Sequence, residues 1–237
     1  MTIERPHRHF EEDLGLLKTR LLEMGGIAED RLRLAVRGLV ERDLGALQSV
    51  LTGDLEINQL HIEIDDRCFK LLALQQPMAA DLRAIVAAVK INSDLERVGD
   101  LAVNIAEAAL RYVHQPPVKE LIDIPRMGVL AQGMLRDALD AYVRRDLDLA
   151  KQVLNRDDEL DLLKSLVFRE LLAKMAKDPS IINASLDLIL VSRHLERTGD
   201  HATNIAEDVI FMVSAQDVRH KAENTQGSQK SEVKSQK

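Results

Sequence analysis

The chain of 237 residues has an ordinary globular composition that is rich in helix-forming residues. Hydrophobic residues make up 46% and charged residues 30%, whereas aromatic residues make up only 3%, with no Trp. Strands are enriched in aromatic and β-branched residues, so the composition favours an all-α fold. The net charge of −7 argues against nucleic-acid binding. The single cysteine, Cys68, excludes a disulfide framework and a thiolate zinc site, and we expect it to be a small buried helix residue.

No signal-peptide pattern opens the chain, and no apolar run approaches the ~18 residues needed to span a bilayer. We therefore expect a cytoplasmic protein.

Apolar residues recur at spacings of three and four, which predicts helices throughout. Asp43 is the predicted N-cap of the second helix, and the pair Gly25-Gly26 is expected to loosen the first. Pro116-Pro117 is the plainest linker, and the polar segment from Gln216 onward predicts a disordered tail. Breakers place six long helices at about 10–40, 43–74, 81–113, 124–143, 147–177 and 181–213.

The second half of the chain repeats the first. Asp94–Glu107 reads DLERVGDLAVNIAE and His194–Glu207 reads HLERTGDHATNIAE, with ten of fourteen positions identical. The turn Arg42-Asp43-Leu44 returns as Arg145-Asp146-Leu147, 103 residues later. The repeat predicts two pseudo-symmetric antiparallel three-helix bundles, with domains at 1–115 and 118–215 and the tail at 216–237.

The repeated motif places its polar residues on one face of each helix. A helix turns about 100° per residue, so side-chain directions follow from spacing. With Leu95 at zero, the apolar seam that includes Val98 and Ile105 lies at about 280–360°, and the polar positions lie at about 100–180°. We therefore expect an outward-facing acidic stripe in each copy. Its residues are Glu96, Asp100, Asn104 and Glu107, and, in the second copy, Glu196, Asp200, Asn204 and Glu207.

The acidic stripe predicts a bound cation. Two carboxylates at i and i+4 destabilise an isolated helix by ~0.2–0.5 kcal/mol, and the duplicated pair requires compensation. Hard cations such as Mg²⁺, Ca²⁺ and Mn²⁺, or iron, take convergent oxygen ligands. The preceding helix of each bundle adds candidate ligands. In the first copy these are Asp54 and Asn58, with His61 and Asp65 further along the same face. In the second copy they are Asp157 and Asp161, and Lys164 and Phe168 stand at the positions that match His61 and Asp65.

Three smaller features accompany the motif. Gly99 and Gly199 lie inside helices, where Gly costs ~1 kcal/mol, so we expect close packing at both positions. His201 replaces Leu101 and is expected to be solvated on an outward-facing position. His7 and His9 are assigned to a flexible charged end rather than to a metal site.

The chain resembles the PhoU family of bacterial phosphate-transport accessory and regulatory proteins. The resemblance extends to about His220. Its residues are LERVGDLAVNIAE and LERTGDHATNIAE, with QQPMAADLR, MGG and DVRH in support.

The resemblance implies two three-helix bundles, homodimerisation and multinuclear metal clusters on the bundle surface, with divalent or ferric ions (Mg, Mn, Fe or Zn). By match of motif, the metal-binding role falls on three acidic pairs: one on the motif helix of each copy, and one on the helix that precedes the second motif. The helix that precedes the first motif carries a fourth pair, whose second residue is Asn in place of Asp. The matching pairs are Glu96 with Asp100, Glu196 with Asp200, and Asp157 with Asp161; the departing pair is Asp54 with Asn58.

The family resemblance also implies a function. The protein would negatively regulate the phosphate-starvation response and phosphate uptake, coupling the ATPase of a phosphate ABC transporter to a membrane sensor histidine kinase. The sequence has no Walker A loop, nucleophile elbow, dinucleotide motif or His-Glu-x-x-His, which suits a non-enzyme. Two alternatives stay open: a metal-dependent phosphoester hydrolase and a metal-free helical scaffold.

Overall fold

The computed structural model describes residues 4–53 and 55–216, with side chains from residue 10 onward, and every regular element in this part of the chain is helical. None of the described helices is long and apolar enough to cross a membrane. The all-α prediction is confirmed. The predicted tail lies outside the described residues from position 217 onward. The helices are α1 Glu4–Glu41, α2 Leu44–Thr52, α3 Leu55–Gln75, α4 Ala80–Val113, α5 Asp123–Arg144, α6 Leu147–Met175 and α7 Ile182–Ser214, with a 3₁₀ turn at Pro179–Ile181.

The second predicted helix is divided, which corrects the sequence-based boundary. Helix α2 ends at Thr52, with Gly53 as its C-cap, and α3 begins at Leu55. Gly53 leaves room for a buried arginine of α1, because a Cβ at this position would lie 3.2 Å from Arg31 Nη2. The periodicity of the apolar residues continues across Gly53, so the sequence pattern does not reveal the break between α2 and α3.

The repeated Arg-Asp-Leu turn has the same structure in both halves. Arg42 and Arg145 both adopt the left-handed conformation, with φ of 55°, at the end of the preceding helix. Asp43 then caps α2 by accepting a hydrogen bond from the Ala46 N–H, as predicted, and Asp146 caps α6 in the same way. Each turn reverses the chain by closing one helix and starting the next.

The predicted pair of three-helix bundles is confirmed, and the two bundles share one continuous core. Helices α1, α2–α3 and α4 form the first, and α5, α6 and α7 the second. Helices α4 and α7 pack antiparallel along the centre of the molecule. Their polar contacts include Arg111 Nε to Asp187 Oδ1 at 2.8 Å and Lys90 Nζ to Asp208 Oδ1 at 2.9 Å. Cys68 is fully buried in α3, as predicted, and burial raises the pKa of its thiol to about 12.

Three glycines permit close helix packing. Helix α1 is continuous through Gly25, which contradicts the expected loosening. A Cβ on Gly25 would lie 2.2 Å from Leu139 Cδ1 of α5, so this glycine lets the two bundles approach. The motif glycines behave as predicted, because a Cβ on Gly99 would lie 2.8 Å from Ile57 Cδ1 and one on Gly199 would lie 2.4 Å from Leu160 Cδ2.

Alanine at a motif glycine is expected to destabilise the protein. In Gly199→Ala, the new methyl overlaps the buried Leu160, and overpacking costs ~1–3 kcal/mol, against ~1 kcal/mol gained in helix propensity. Gly26→Ala is the matched control, since no atom lies within 4 Å of its Cβ position. We expect the melting temperature to fall in the first variant and rise in the second. A rise in both would show that the motif glycine is not required for packing.

Candidate metal site between helices α6 and α7

Four predicted carboxylates meet on the outer side of the second bundle. Asp157 and Asp161 come from α6, and Glu196 and Asp200 come from the facing side of α7; we call these four residues the second acidic cluster. Gly199 brings the two helices together here, since its missing Cβ would lie 3.6 Å from Asp157 Oδ1. The sequence predicted all four as metal ligands, and the fold places them together.

Burial and mutual repulsion mark this cluster electrostatically. The pKa of Asp157 is raised to about 6, first by burial and then by the negative charges of the neighbouring Asp200, Asp161, Glu196 and Asp158. The pKa of Asp200 is also raised, first by burial and then by Asp161. Ionised together, these groups repel one another, and a cation between them would relieve the repulsion.

A lysine ammonium supplies part of that positive charge. Lys164 Nζ lies 2.7 Å from Asp161 Oδ1 and 2.5 Å from Glu196 Oε1, so it bridges α6 and α7. In the sequence, Lys164 stands only as a position where a ligand is missing. Its spacing of three residues from Asp161 was the available signal that it is an ion-pair partner.

The donor set fits a hard cation, because all four cluster side chains offer carboxylate oxygens. The geometry is not preformed: in the described part of the chain, no three His, Cys, Asp or Glu side chains are arranged to hold a metal ion. The bridging Lys164 ammonium accounts for this at the second cluster, since it binds oxygens of Asp161 and Glu196. A metal would therefore have to displace Lys164.

The corresponding site of the first bundle is organised differently. Glu96 and Asp100 lie 3.6 Å and 3.7 Å from nitrogen atoms of Arg97. On the neighbouring helices, Asn92 donates from Nδ2 to Asp65 Oδ1 at 2.9 Å, which ties α4 to α3. Asn58 is half-buried on α3, and Asp54 lies outside the described residues.

The remaining predicted ligands lie further along α4 and α7. Asn104 is half-buried, Glu107 is exposed and Glu207 is half-buried. Asn204 donates from Nδ2 to Asp94 Oδ1 at 3.3 Å, across the interface between α7 and α4.

The predicted solvation of His201 is wrong. This side chain is 16% exposed, and its Nδ1 lies 2.8 Å from Asp94 Oδ1 of α4. His201 replaces Leu101 on the face that the motif helices turn toward each other, and the histidine ring is accommodated there by a carboxylate. Only the packing of the two repeats places this position inside.

The fold and the acidic cluster define an all-α protein made of two copies of a three-helix unit, with carboxylates facing one another on the outside of the second copy. The family model for the PhoU domain matches residues 21–109 and 124–209, once in each bundle. The chain therefore belongs to the PhoU family.

Curated relatives and solved structures match nearly the whole chain. A phosphate-specific transport system accessory protein PhoU homolog of Caulobacter vibrioides is 44% identical over 216 residues, which cover 91% of this chain and 94% of the relative. The crystal structure of PhoU from Pseudomonas aeruginosa superposes with a TM-score of 0.84 at 38% identity, covering 87% of this chain and 100% of that one. The crystal structure of the phosphate transport system regulatory protein PhoU from Streptococcus pneumoniae superposes with a TM-score of 0.82 at 28% identity. The match covers 88% of this chain and 99% of that one.

Neutralising Asp157 is expected to stabilise the metal-free protein. Its folded pKa of about 6 exceeds the ordinary value of 3.8, so the favourable protonated form is lost as pH rises through about 6. In chelator at pH 7.5, Asp157→Asn should raise the melting temperature by about 2–4 °C, the shift for ~1 kcal/mol in a chain of this size. Below pH 4 the difference should vanish. Asp158→Asn, on the exposed side, should change the melting temperature less, and equal shifts at both pH values would contradict the raised pKa.

Proposed function

We propose that this protein is a metal-binding regulatory adaptor of phosphate uptake. In this role it negatively regulates the phosphate-starvation response and couples the ATPase of a phosphate ABC transporter to a membrane sensor histidine kinase. The observation that carries the proposal is the match, over 91% of the chain, to a relative named as a phosphate-specific transport system accessory protein. A regulatory protein of the same family has the same fold in Streptococcus pneumoniae.

The metal would be held mainly by the second acidic cluster. Asp157 and Asp161 would bind it from α6, and Glu196 and Asp200 from α7, while Lys164 releases two of these carboxylates. The bound ion would be divalent or ferric (Mg, Mn, Fe or Zn) and would neutralise carboxylates that otherwise repel one another. Because the ligands come from two helices, binding would fix α6 against α7. In the first bundle, Glu96 and Asp100 with Asn58 and Asp54 are the proposed ligands.

The proposed adaptor acts by contact and not by catalysis. The names of its relatives describe accessory and regulatory proteins and no reaction. We accordingly assign no catalytic residue, and we place the protein in the cytoplasm as a homodimer that reaches the membrane through its partners and binds no nucleic acid. The bound ion would shape the outer surface of the helix pair, which is the part of the molecule available to a partner.

The metal-free protein is expected to bind divalent cations through these carboxylates. Calorimetry and elemental analysis should detect no metal binding in the variant in which Ala replaces four ligands together. These are Glu96, Asp100, Glu196 and Asp200. Lys164→Gln should instead tighten binding about tenfold, equivalent to ~1.4 kcal/mol, because it removes a competing positive charge.

The control for this experiment removes the same number of negative charges from exposed positions elsewhere. It combines Glu11→Ala, Glu41→Ala, Glu120→Ala and Asp148→Ala. Metal binding should persist in this variant. Unchanged metal content in the variant that lacks the four predicted ligands would show that the metal site is assigned to the wrong residues.

The regulatory role is tested by deleting the gene. Because the proposed adaptor represses the phosphate-starvation response, alkaline phosphatase activity should rise in the deletion strain while phosphate is plentiful. Expression of the wild-type protein should restore the low level. Phosphatase activity that stays low in the deletion strain would overturn the assignment to phosphate control, whatever the metal content of the protein.

A further inference from the structure

The outer surface of the second bundle carries a groove that extends beyond the metal site. It runs between α6 and α7, has a volume of about 460 Å³, and begins where the second acidic cluster ends. Lys164 and Glu196 lie at the boundary between the two. Its other lining residues are Ser165, Phe168, Arg169, Ile189, Ser192 and Arg193; together, these eight residues define the α6–α7 groove.

Two arginines of the α6–α7 groove have no partner among the described residues. Neither Arg169 nor Arg193 makes a hydrogen bond or an ion pair with any described residue, although the surface elsewhere is rich in ion pairs. Both side chains are exposed. Two unpaired guanidinium groups beside one groove make a basic surface on a chain whose net charge is −7, and such groups bind carboxylates in bidentate fashion.

The same groove exposes apolar surface. Phe168 is 47% exposed, and Leu172 and Leu186, one helical turn further along α6 and α7, are exposed to a similar degree. The lining residues on α7 run from Ile189 to Glu196, and the exposed Leu186 and Ile182 continue the same face of the helix. From Glu196 to Ile182 this surface follows about four turns of α7, or ~20 Å. A partly apolar surface of this length, with charged groups beside it, suits an amphipathic helix.

The first bundle shows that this surface is particular to the second. At the offset of the repeat, Asp65 and Asp66 occupy the positions of Phe168 and Arg169, and Ser93 occupies that of Arg193. Asp65 accepts a hydrogen bond from Asn92, and Asp66 pairs with Lys70. The corresponding surfaces of the two bundles therefore differ in the sign of their charge.

We infer that the α6–α7 groove is a docking site for an acidic amphipathic helix of a partner protein. Apolar residues on one side of that helix would cover Phe168, Leu172 and Leu186, and its carboxylates would pair with Arg169 and Arg193. The inference rests on the adaptor role proposed above, for which it supplies a contact surface. The chain's own segment 217–237 does not suit the groove, because it contains five basic and three acidic residues.

The decisive variant converts this groove to its counterpart in the first bundle. It combines Phe168→Asp, Arg169→Asp and Arg193→Ser, all at exposed positions, so folding should be unaffected and is checked by circular dichroism and melting temperature. The matched control places positive charge at the corresponding positions of the first bundle. It combines Asp66→Arg and Ser93→Arg, and both positions are exposed.

The binding probe is a fluorescein-labelled peptide of about four to five helical turns, with leucines at i, i+3, i+4 and i+7 and glutamates on its other faces. Fluorescence anisotropy should show that the peptide binds the wild type and the control with similar affinity. Its affinity for the groove variant should be lower by about tenfold or more. Affinity should fall as salt screens the ion pairs. A peptide with lysine in place of glutamate should not bind. The docking site is overturned if the acidic peptide does not bind, or if it binds the groove variant equally well.

Two further measurements separate the other outcomes. In the deletion strain, the groove variant should fail to restore low phosphatase activity, whereas the control should restore it; full restoration by the groove variant overturns the docking site. If the deletion itself has no effect, the proposed function fails, and the anisotropy result still decides the groove. Size-exclusion chromatography should show the same oligomeric state for all three proteins. If the oligomeric state changes only in the groove variant, the groove is an interface with a second copy of this chain. That result would overturn the proposal that a partner protein's helix binds there.

Discussion

Helices α4 and α7 lie antiparallel along the centre of the molecule, and their contact buries the carboxylates of Asp187 and Asp208. Arg111 pairs with the first and Lys90 with the second, in each case across the boundary between the repeats. Separating the bundles would expose the shared apolar core to water and break both pairs. The two repeats are thereby held in one fixed relation.

This central contact decides which faces of the motif helices remain available. Because α4 and α7 turn one side toward each other, their acidic sides meet α3 and α6 on the outside of the molecule. In the second bundle this places Asp157 beside Asp200 and leaves Lys164 between carboxylates of both helices. The site is under electrostatic strain because the pKa values of Asp157 and Asp200 stay raised even with Lys164 and Arg197 nearby.

Duplication kept the framework and changed the outer surfaces. The motif glycines pack against an apolar residue of the preceding helix in both halves, Ile57 in one and Leu160 in the other. Nine residues further along these helices, the charges differ, with Asp66 in the first bundle where Arg169 stands in the second. Packing constrains the first kind of position strongly, because a single added methyl group would overlap a buried side chain. Exposed positions carry no such constraint and were free to diverge.

The sequence by itself determined the helices, the Asp43 cap, the close packing at Gly199 and the carboxylates of the acidic cluster, because these depend on local periodicity, spacing and residue chemistry. Tertiary structure decided the break at Gly53, where a buried arginine from another helix needs room, and the burial of His201 against α4. It also decided that Lys164 bridges the cluster. Each of these depends on a residue from a different helix, and a one-dimensional pattern does not specify which helices meet.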